Sequence, residues 1–269
     1  MSAQTHARWW NGAVDATPQP QFVLSSDGLK LATYDFGDLD APPVVALHGF
    51  AASALVNWQV TGWIRDLTRA GHRVIAVDQR GHGQSDKPYD PERYTMELFV
   101  DDLSQVLNTY MLGDVSLLGY SLGSRVSWLA APALPHLVTR AVLGGLPEGD
   151  PLTRFDLEAA RDYVRTGRMI EDPLTSAFVM MAARVPGNDL ESLISLVEGL
   201  RGGLQADTTN APGQPLLLGT GTDDLIIDQS RRLAESAPHA RFVEIPDRNH
   251  FSAPSSGAFR TAAVAFLSE

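Results

Sequence analysis

The chain of 269 residues contains no cysteine. This absence excludes disulfide bonds and metal sites built on thiolate ligands. Long apolar runs are also missing, so we expect neither a membrane-spanning helix nor, in residues 1–21, a secretory signal. Positive charge is scarce: 21 Lys and Arg residues face 32 Asp and Glu residues, and the net charge is −11. This balance disfavours nucleic acid and anionic membranes as partners. We therefore expect a cytoplasmic protein that acts on a small molecule, and we assign it no metal and no cofactor.

The chain does contain a regular alternation of short apolar segments with amphipathic ones. Strands are predicted over residues 21–24, 29–36, 44–47, 72–77, 115–118, 139–146, 216–218 and 241–245. Helices are predicted over residues 58–70, 95–111, 122–134, 231–237 and 253–267. Strands that alternate with helices predict an α/β fold, with a mostly parallel eight-stranded sheet flanked by helices on both faces.

Two segments stand outside this alternation. From residue 147 to residue 213 the strand signals stop, and helical patterns with Pro and Gly breaks replace them. A connection of this length is unusual without structure of its own, so we expect a helical insertion. The second segment is the N-terminal one, where we expect Trp9 and Trp10 to pack against the body of the protein.

The pentapeptide Gly119-Tyr120-Ser121-Leu122-Gly123 lies between a predicted strand and a predicted helix. In that context Gly-x-Ser-x-Gly indicates a nucleophile elbow, a tight turn that exposes a reactive serine. Such a turn leaves no room for a side chain two residues before or after the serine, and Gly119 and Gly123 meet this demand. Ser121 is therefore our candidate nucleophile.

A base and an acid are sought at strand ends, because ligands bind beyond the C-terminal ends of strands in α/β sheets. His250 follows the last predicted strand and can accept the serine proton. Asp223 and Asp224 follow the strand before it, and either could orient the imidazole. Asp150, after the sixth strand, is a reserve candidate. The order Ser, Asp, His is the one expected with this elbow.

An oxyanion hole requires two backbone N–H groups that point at the reacting carbonyl. Leu122 lies at the start of the predicted helix, where N–H groups have no partner within the helix. Phe50 follows His48-Gly49 at the end of the third predicted strand. We expect the N–H groups of Phe50 and Leu122 to form this hole.

Together these motifs resemble the α/β-hydrolase fold family, over residues 21–147 and 213–267. The resemblance rests on His48-Gly49-Phe50, Asp78-Gln79-Arg80-Gly81-His82-Gly83-Gln84-Ser85-Asp86, the elbow, Gly221-Thr222-Asp223-Asp224 and Asn249-His250-Phe251. In the family the acid stands three residues after a glycine, which implies Asp224. The loop over residues 80–86 is implied to be structural, so His82 and Asp86 receive no chemical role.

The resemblance also implies a domain organisation and a substrate pocket. The insertion occupies the place of the family's cap, so residues 147–213 are expected to form a helical cap. Residues 1–146 and 214–269 are then expected to form the core domain. Substrate contacts are expected from Tyr120, Phe178, Met181 and Phe251.

The implied activity is that of a serine hydrolase, which cleaves a small, mostly apolar carboxylic ester, thioester or lactone through an acyl-enzyme. Epoxide hydrolases and haloalkane dehalogenases of this family carry Asp at the elbow, and proline iminopeptidases favour Trp after the serine. Ser121 and Leu122 therefore argue against all three. Asn57-Trp58 resembles carbon–carbon bond hydrolases of ring-cleavage products, which remain an alternative. A slow-turnover small-molecule receptor of the same fold is a second alternative.

Overall fold

The structure is a computed structural model that describes residues 18–269, so Trp9 and Trp10 lie outside the described residues. Within this range the strands form one eight-stranded sheet in the order β1-β2-β4-β3-β5-β6-β7-β8. The strands are β1 Gln21–Leu24, β2 Lys30–Phe36, β3 Pro43–Leu47, β4 Arg73–Val77, β5 Val115–Tyr120, β6 Val138–Gly144, β7 Leu216–Gly221 and β8 Ala240–Ile245. In this described sheet β2 runs against the others, and the remaining strands are parallel to one another.

Helices cover both faces of the sheet. They are α1 Trp63–Arg69, α2 Met96–Thr109, α3 Leu122–Ala133, α4 Leu157–Thr166, α5 Pro173–Ala182, α6 Leu190–Leu200, α7 Ile227–Ser236 and α8 Gly257–Leu267. Successive residues of a strand point to opposite faces, so the apolar run of β3 is buried on both sides. Val44 and Ala46 pack in the cluster that contains α1 and α8, and Val45 and Leu47 pack in the cluster that contains α2, α3 and α7. The α/β fold with a mostly parallel eight-stranded sheet is thus confirmed.

The functional end of the sheet is set by a reversal of strand order. From β3 the chain passes through α1 to β4 on one side, and from β4 it returns through α2 to β5 on the other side of β3. Loops that leave β3 and β5 therefore diverge above the sheet and open a crevice between them. The sequences His48-Gly49-Phe50 and Ser121-Leu122 occupy these two loops.

The helix predicted over residues 58–70 is wrong at its start. Gly62 adopts a left-handed conformation with φ 88°, which separates one helical segment from the next. Before it, Leu55–Gln59 forms a π-helical turn that buries Asn57 and Trp58. The last predicted helix also begins late, because Pro254 lies in a separate 3₁₀ turn and the Ser256 side chain caps α8. In contrast, α7 begins at Ile227, four residues before its predicted start.

Helices α4, α5 and α6 lie between β6 and β7, where the sequence predicts a helical insertion. Each begins at an aspartate whose carboxylate accepts a backbone N–H of the first turn: Asp156, Asp172 and Asp189. The division into a core domain and a cap over residues 147–213 stays a prediction. Among residues 18–269, none of the helices is both long and apolar enough to cross a bilayer.

Candidate active site

The turn after β5 holds Ser121 in a strained conformation. Its φ is 50° and its ψ is −108°, a left-handed geometry that non-glycine residues rarely adopt. The flanking glycines explain how the turn is accommodated. A Cβ atom on Gly123 would lie 1.9 Å from the Leu47 carbonyl oxygen, and one on Gly119 would lie 2.5 Å from the Gly123 carbonyl oxygen. Close packing between β3, β5 and α3 thus requires glycine at both positions and lifts Ser121 above the sheet.

Ser121, His250 and Asp224 form a continuous hydrogen-bonded chain. His250 Nε2 lies 2.9 Å from Ser121 Oγ, and His250 Nδ1 lies 2.8 Å from Asp224 Oδ2. Because a carboxylate can only accept, Nδ1 carries the proton and Nε2 is free to accept the serine hydroxyl. The Asp224 side chain is 3% exposed and the His250 side chain 21% exposed, so the chain runs from the interior to the cavity.

The loops after β7 and β8 carry Asp224 and His250, and they are locked together by backbone contacts. The Asp223 N–H donates to the Arg248 carbonyl at 3.0 Å, and a Cβ on Gly221 would lie 1.9 Å from that same oxygen. Tyr120 Oη donates to the His250 carbonyl at 2.5 Å. Burial, with the Asp224 carboxylate adding to it, raises the pKa of Tyr120 well above its usual range, so the phenol remains a donor. The loop of His250 is therefore held by contacts from the ends of β7 and β5.

The other carboxylates considered from the sequence lie away from the imidazole. Asp223 is exposed, and its carboxylate accepts from Thr222 at 3.4 Å. The Asp150 carboxylate accepts the Leu152 N–H at 3.1 Å. Among the described residues, Asp224 is the one whose carboxylate contacts His250.

Two backbone N–H groups beside Ser121 have no acceptor within residues 18–269: those of Phe50 and Leu122. Their neighbours are engaged, since the Ser121 N–H donates to Gly144 at 2.8 Å and the Gly123 N–H donates to His48 at 3.1 Å. Leu122 begins α3, where the helix dipole favours negative charge. The pair is available to an oxygen that develops negative charge.

The loop that carries Phe50 is braced by two buried histidines. His48 Nε2 accepts the Gln79 N–H at 3.1 Å, and His48 Nδ1 donates to the Gly49 carbonyl at 2.8 Å. His82 Nε2 accepts the Ala51 N–H at 3.1 Å. Burial lowers the pKa of His48 and, with His48 close by, lowers the pKa of His82 well below 6.5. Both imidazoles are neutral and act as fixed acceptors of backbone N–H groups.

Asn57 supports the same loop from the opposite side. Its Oδ1 accepts the Gly49 N–H at 3.1 Å, which fixes the peptide immediately before the Phe50 N–H. Its Nδ2 is buried and has no partner among the described residues. Because Asn57 also lines the cavity next to Ser121, this amide can donate to a polar atom that enters the cavity.

Two cavities meet at Ser121. The small cavity has a volume of about 160 Å³ and contains the four residues expected from the sequence to contact substrate: Tyr120, Phe178, Met181 and Phe251. The large cavity has a volume of about 570 Å³. The structure thus places all four residues beside Ser121, and their role in binding stays a prediction.

An aromatic row forms the wall that the two cavities share. The Phe178 ring on α5 lies 5.4 Å from the Phe50 ring and 5.7 Å from the Phe251 ring, measured between centroids. All three residues line both cavities, as do Ser121 and His250. A substrate bound at Ser121 can therefore extend on either side of Phe178.

The large cavity contains a residue that the sequence analysis did not single out. Arg125, one turn after Ser121 on α3, lines this cavity and is 1% exposed. A signal for it exists in the sequence, because it is the lone charged residue of the helix segment LGSRVSWLAAPA.

Groups of three or more metal-ligating side chains in a suitable arrangement do not occur among residues 18–269.

Comparisons with known proteins identify the family of this chain. The family described as alpha/beta hydrolase fold matches residues 42–255. A haloalkane dehalogenase of Mycolicibacterium paratuberculosis is 35% identical over 140 residues, which cover 51% of this chain and 45% of that protein. The chain spans less than half the length of the curated relatives that it matches.

Solved structures extend the match over nearly the whole chain. The enol-lactonase from Burkholderia xenovorans LB400 superposes with a TM-score of 0.74 at 22% identity, over 93% of this chain and 100% of that one. An esterase from Exiguobacterium antarcticum superposes with a TM-score of 0.74 at 20% identity and the same coverage. At this identity the likeness concerns the fold. Together with the family match, it establishes that the chain belongs to the alpha/beta hydrolase fold family.

Proposed function

We propose that this hydrolase cleaves a carboxylic ester, thioester or lactone through a covalent acyl-enzyme on Ser121. The observation that carries the proposal is the chain of hydrogen bonds from Asp224 through His250 to the Ser121 hydroxyl, with distances of 2.8 and 2.9 Å. A serine hydroxyl is a weak nucleophile at neutral pH, and it needs a base within hydrogen-bond reach. His250 meets this need without rearrangement.

In the first half of the reaction, Ser121 Oγ attacks the carbonyl carbon while His250 Nε2 takes the hydroxyl proton. Asp224 fixes the tautomer of His250 and stabilises the imidazolium that forms. The carbon–oxygen or carbon–sulfur bond to the leaving group then breaks, and the imidazolium gives the proton to that group. The alcohol or thiol leaves, and the acyl group stays on Ser121.

In the second half, a water molecule attacks the acyl-enzyme. His250 takes a proton from the water and returns it to Ser121 Oγ as the ester bond to the enzyme breaks. The products are a carboxylic acid and the free enzyme. For a lactone, the acid and the alcohol are parts of one product molecule.

In both halves the carbonyl oxygen becomes negatively charged. We assign the N–H groups of Phe50 and Leu122 to this oxygen, since both lie beside Ser121 without an acceptor among the described residues. Each donor of this kind contributes about 10²–10³ in rate. The braces from His48, His82 and Asn57 hold the Phe50 donor in place before substrate arrives, which avoids reorganisation during the reaction.

We assign residues 147–213 the role of a cap that selects the substrate. Phe178 and Met181 of α5 line the small cavity next to Ser121. Their apolar surface favours an apolar substituent on one side of the scissile carbonyl. Tyr120 and Phe251 complete this wall from the core.

The residue at the elbow distinguishes this proposal from the activities named for some relatives. A dehalogenase or an epoxide hydrolase of the kind considered in the sequence analysis attacks with an aspartate at that position. Ser121 stands there in this chain, so an acyl-enzyme, rather than an alkyl-enzyme, is the expected intermediate.

The test is a panel of p-nitrophenyl esters and lactones graded by acyl length, measured with the wild-type enzyme and the Ser121→Ala variant. We expect turnover by the wild type and a loss of about 10⁵–10⁶-fold in kcat in the variant. The same panel includes a vinylogous diketone for carbon–carbon bond cleavage. Ester turnover that survives in Ser121→Ala would contradict the proposal. Binding of esters without multiple turnover would favour the receptor alternative.

A further inference from the structure

Arg125 lines the large cavity and lies one helical turn beyond the nucleophile. Its backbone N–H donates to the Ser121 carbonyl at 3.0 Å, and its side chain lines the cavity that also contains Ser121 and His250. The residue is 1% exposed. A guanidinium this deeply buried normally pairs with a carboxylate, because removing its charge from water is costly.

The pairing of Arg125 is incomplete. Its Nη2 donates to the neutral side chain of Gln205, and its Nε is buried without a partner among the described residues. No carboxylate of residues 18–269 lies within ion-pair distance of it. The site therefore contains a buried positive charge with unused donors.

Arg80 provides a matched comparison within the same molecule. It is 0% exposed, and its guanidinium donates to both oxygens of Asp102 at 2.6 Å and to Asp27 at 3.1 and 3.2 Å. Arg80 is a structural cation whose partners the fold supplies. Arg125 has the same burial without such partners, and it faces a cavity large enough for a ligand.

The positive charge at this point comes from the guanidinium of Arg125 and from the start of α3. Burial lowers the pKa of Arg125 to about 10, so the group stays charged at neutral pH, with Asp150 acting in the opposite direction. The start of α3 adds partial positive charge beside it. Four acidic residues line the same cavity: Glu148, Asp150, Asp223 and Asp224. Glu148 is paired with Arg232 at 2.7 Å, and the Asp224 carboxylate contacts His250 at 2.8 Å. The Asp150 carboxylate accepts the Leu152 N–H, and Asp223 is exposed to solvent.

We propose that Arg125 binds a free carboxylate of the substrate, so that the preferred substrates are esters or lactones that carry a second, ionised carboxyl group. This inference rests on the proposed function and makes its substrate class more specific. The sequence leads us to expect a mostly apolar substrate, whereas Arg125 indicates a substrate that also carries one negative charge. Both cavities open on Ser121, so an ester bound there can place its carboxylate arm against Arg125 and its apolar part against Phe178 and Met181. A carboxylate accepts from a guanidinium through charge-assisted hydrogen bonds, which are roughly twice as strong as neutral ones.

The kinetic test uses two series of substrates that differ in one group. The first contains the monomethyl esters of straight-chain diacids, and the second contains the methyl alkanoates of the same chain length. The readout is the ratio of kcat/KM between the two members of each pair. We expect the wild type to prefer the monomethyl ester of the diacid by at least about tenfold at its best chain length, and Arg125→Met to lower that ratio by about 10- to 100-fold.

Two further variants control this result. Arg154 is an exposed arginine on the same cavity, so Arg154→Met removes the same charge from a solvated position. We expect it to change the ratio by no more than about threefold. Arg125→Lys keeps the charge without the planar fork of donors, and we expect an intermediate ratio. A larger loss in Arg154→Met than in Arg125→Met would overturn the assignment.

A binding experiment separates this inference from the proposed function. Ser121→Ala protein is titrated with monomethyl adipate and with methyl hexanoate in a calorimeter, and the titration is repeated with Arg125→Met added. The anion site is supported if monomethyl adipate binds more tightly than methyl hexanoate and if Arg125→Met removes this difference. This result stands even if no ester is hydrolysed. Hydrolysis of the neutral series with no preference for a carboxylate at any length overturns the inference and leaves the proposed function standing. If Arg125→Met does not fold, the wild-type ratio and Arg125→Lys decide.

Discussion

The loops at the strand ends and the helices α4–α6 contribute to the site in different ways. The loops after β3, β5, β7 and β8 supply polar groups whose positions are fixed by backbone hydrogen bonds. The helices supply side chains such as Phe178 and Met181 that form walls. The two regions contact one another through Phe178 of α5, which packs against Phe50 and Phe251. Between α5 and α6, Asn188 accepts the Gly83 N–H at 3.0 Å and donates to the Ala51 carbonyl at 3.0 Å. We therefore expect substitutions in the strand-end loops to change the rate of the proposed reaction, and substitutions in α4–α6 to change the preference for one substrate over another.

The largest expected effect comes from the strand-end loops. In Asp224→Asn, the amide can present a donor to His250 Nδ1 and so stabilise the wrong tautomer. We expect kcat for an activated ester to fall by about 10⁴-fold, with no change in acyl-length preference. The matched control is Asp223→Asn, which neutralises the exposed neighbour and should change kcat by less than about twofold. Equal losses in the two variants would mean that Asp224 acts through the general charge of the loop.

A smaller and different effect is expected from the helices. Phe178→Ala removes part of the wall that the two cavities share. The kcat/KM for esters with longer or branched acyl groups should therefore rise relative to that for esters with short ones. We expect the ratio of kcat/KM for long over short acyl groups to shift by about tenfold. Phe155→Ala is a matched control, because Phe155 is buried in the same segment and does not line either cavity at Ser121. An unchanged ratio in Phe178→Ala would remove the helices from substrate selection.

The smallest effect concerns the stability of the loop that carries Phe50. The pKa of His82 lies well below 6.5 in the folded protein. As the pH falls through about 6.5, His82 therefore takes up a proton in the unfolded chain but stays neutral in the folded protein. The free energy of unfolding should therefore decrease on acidification, by about 1.4 kcal/mol per pH unit for this group. This contribution is present at neutral pH and is lost below pH 6.5.

Denaturant unfolding from pH 7.5 to pH 5 measures this slope. His82→Gln lacks the titrating group, so its stability should depend less steeply on pH than that of the wild type. His136→Gln makes the same substitution at an exposed position and serves as the matched control. Parallel curves for His82→Gln and the wild type would show that His82 is not the buried neutral brace described above.

The same comparison explains how much of the molecule the sequence could predict. The strand-end loops could be located because their positions follow from local patterns: Gly119 and Gly123 lie around a serine, and His250 lies in the loop that follows a predicted strand. Each pattern depends on neighbours in the chain, and the sheet then brings the loops together. Arg125 was missed because its significance depends on the absence of a carboxylate partner, which only the packed structure reveals. The break at Gly62 was missed because helical periodicity does not report a left-handed residue.

The central claim is that a covalent bond forms between Ser121 and the acyl group of the substrate. It is tested most directly by mixing the enzyme with an activated ester, quenching in acid within milliseconds, and mapping the mass of the peptides. We predict that the peptide containing Ser121 gains the mass of one acyl group in place of the hydroxyl hydrogen, and that this gain is absent from Ser121→Ala. Rapid ester turnover with no acyl adduct on that peptide would contradict the account.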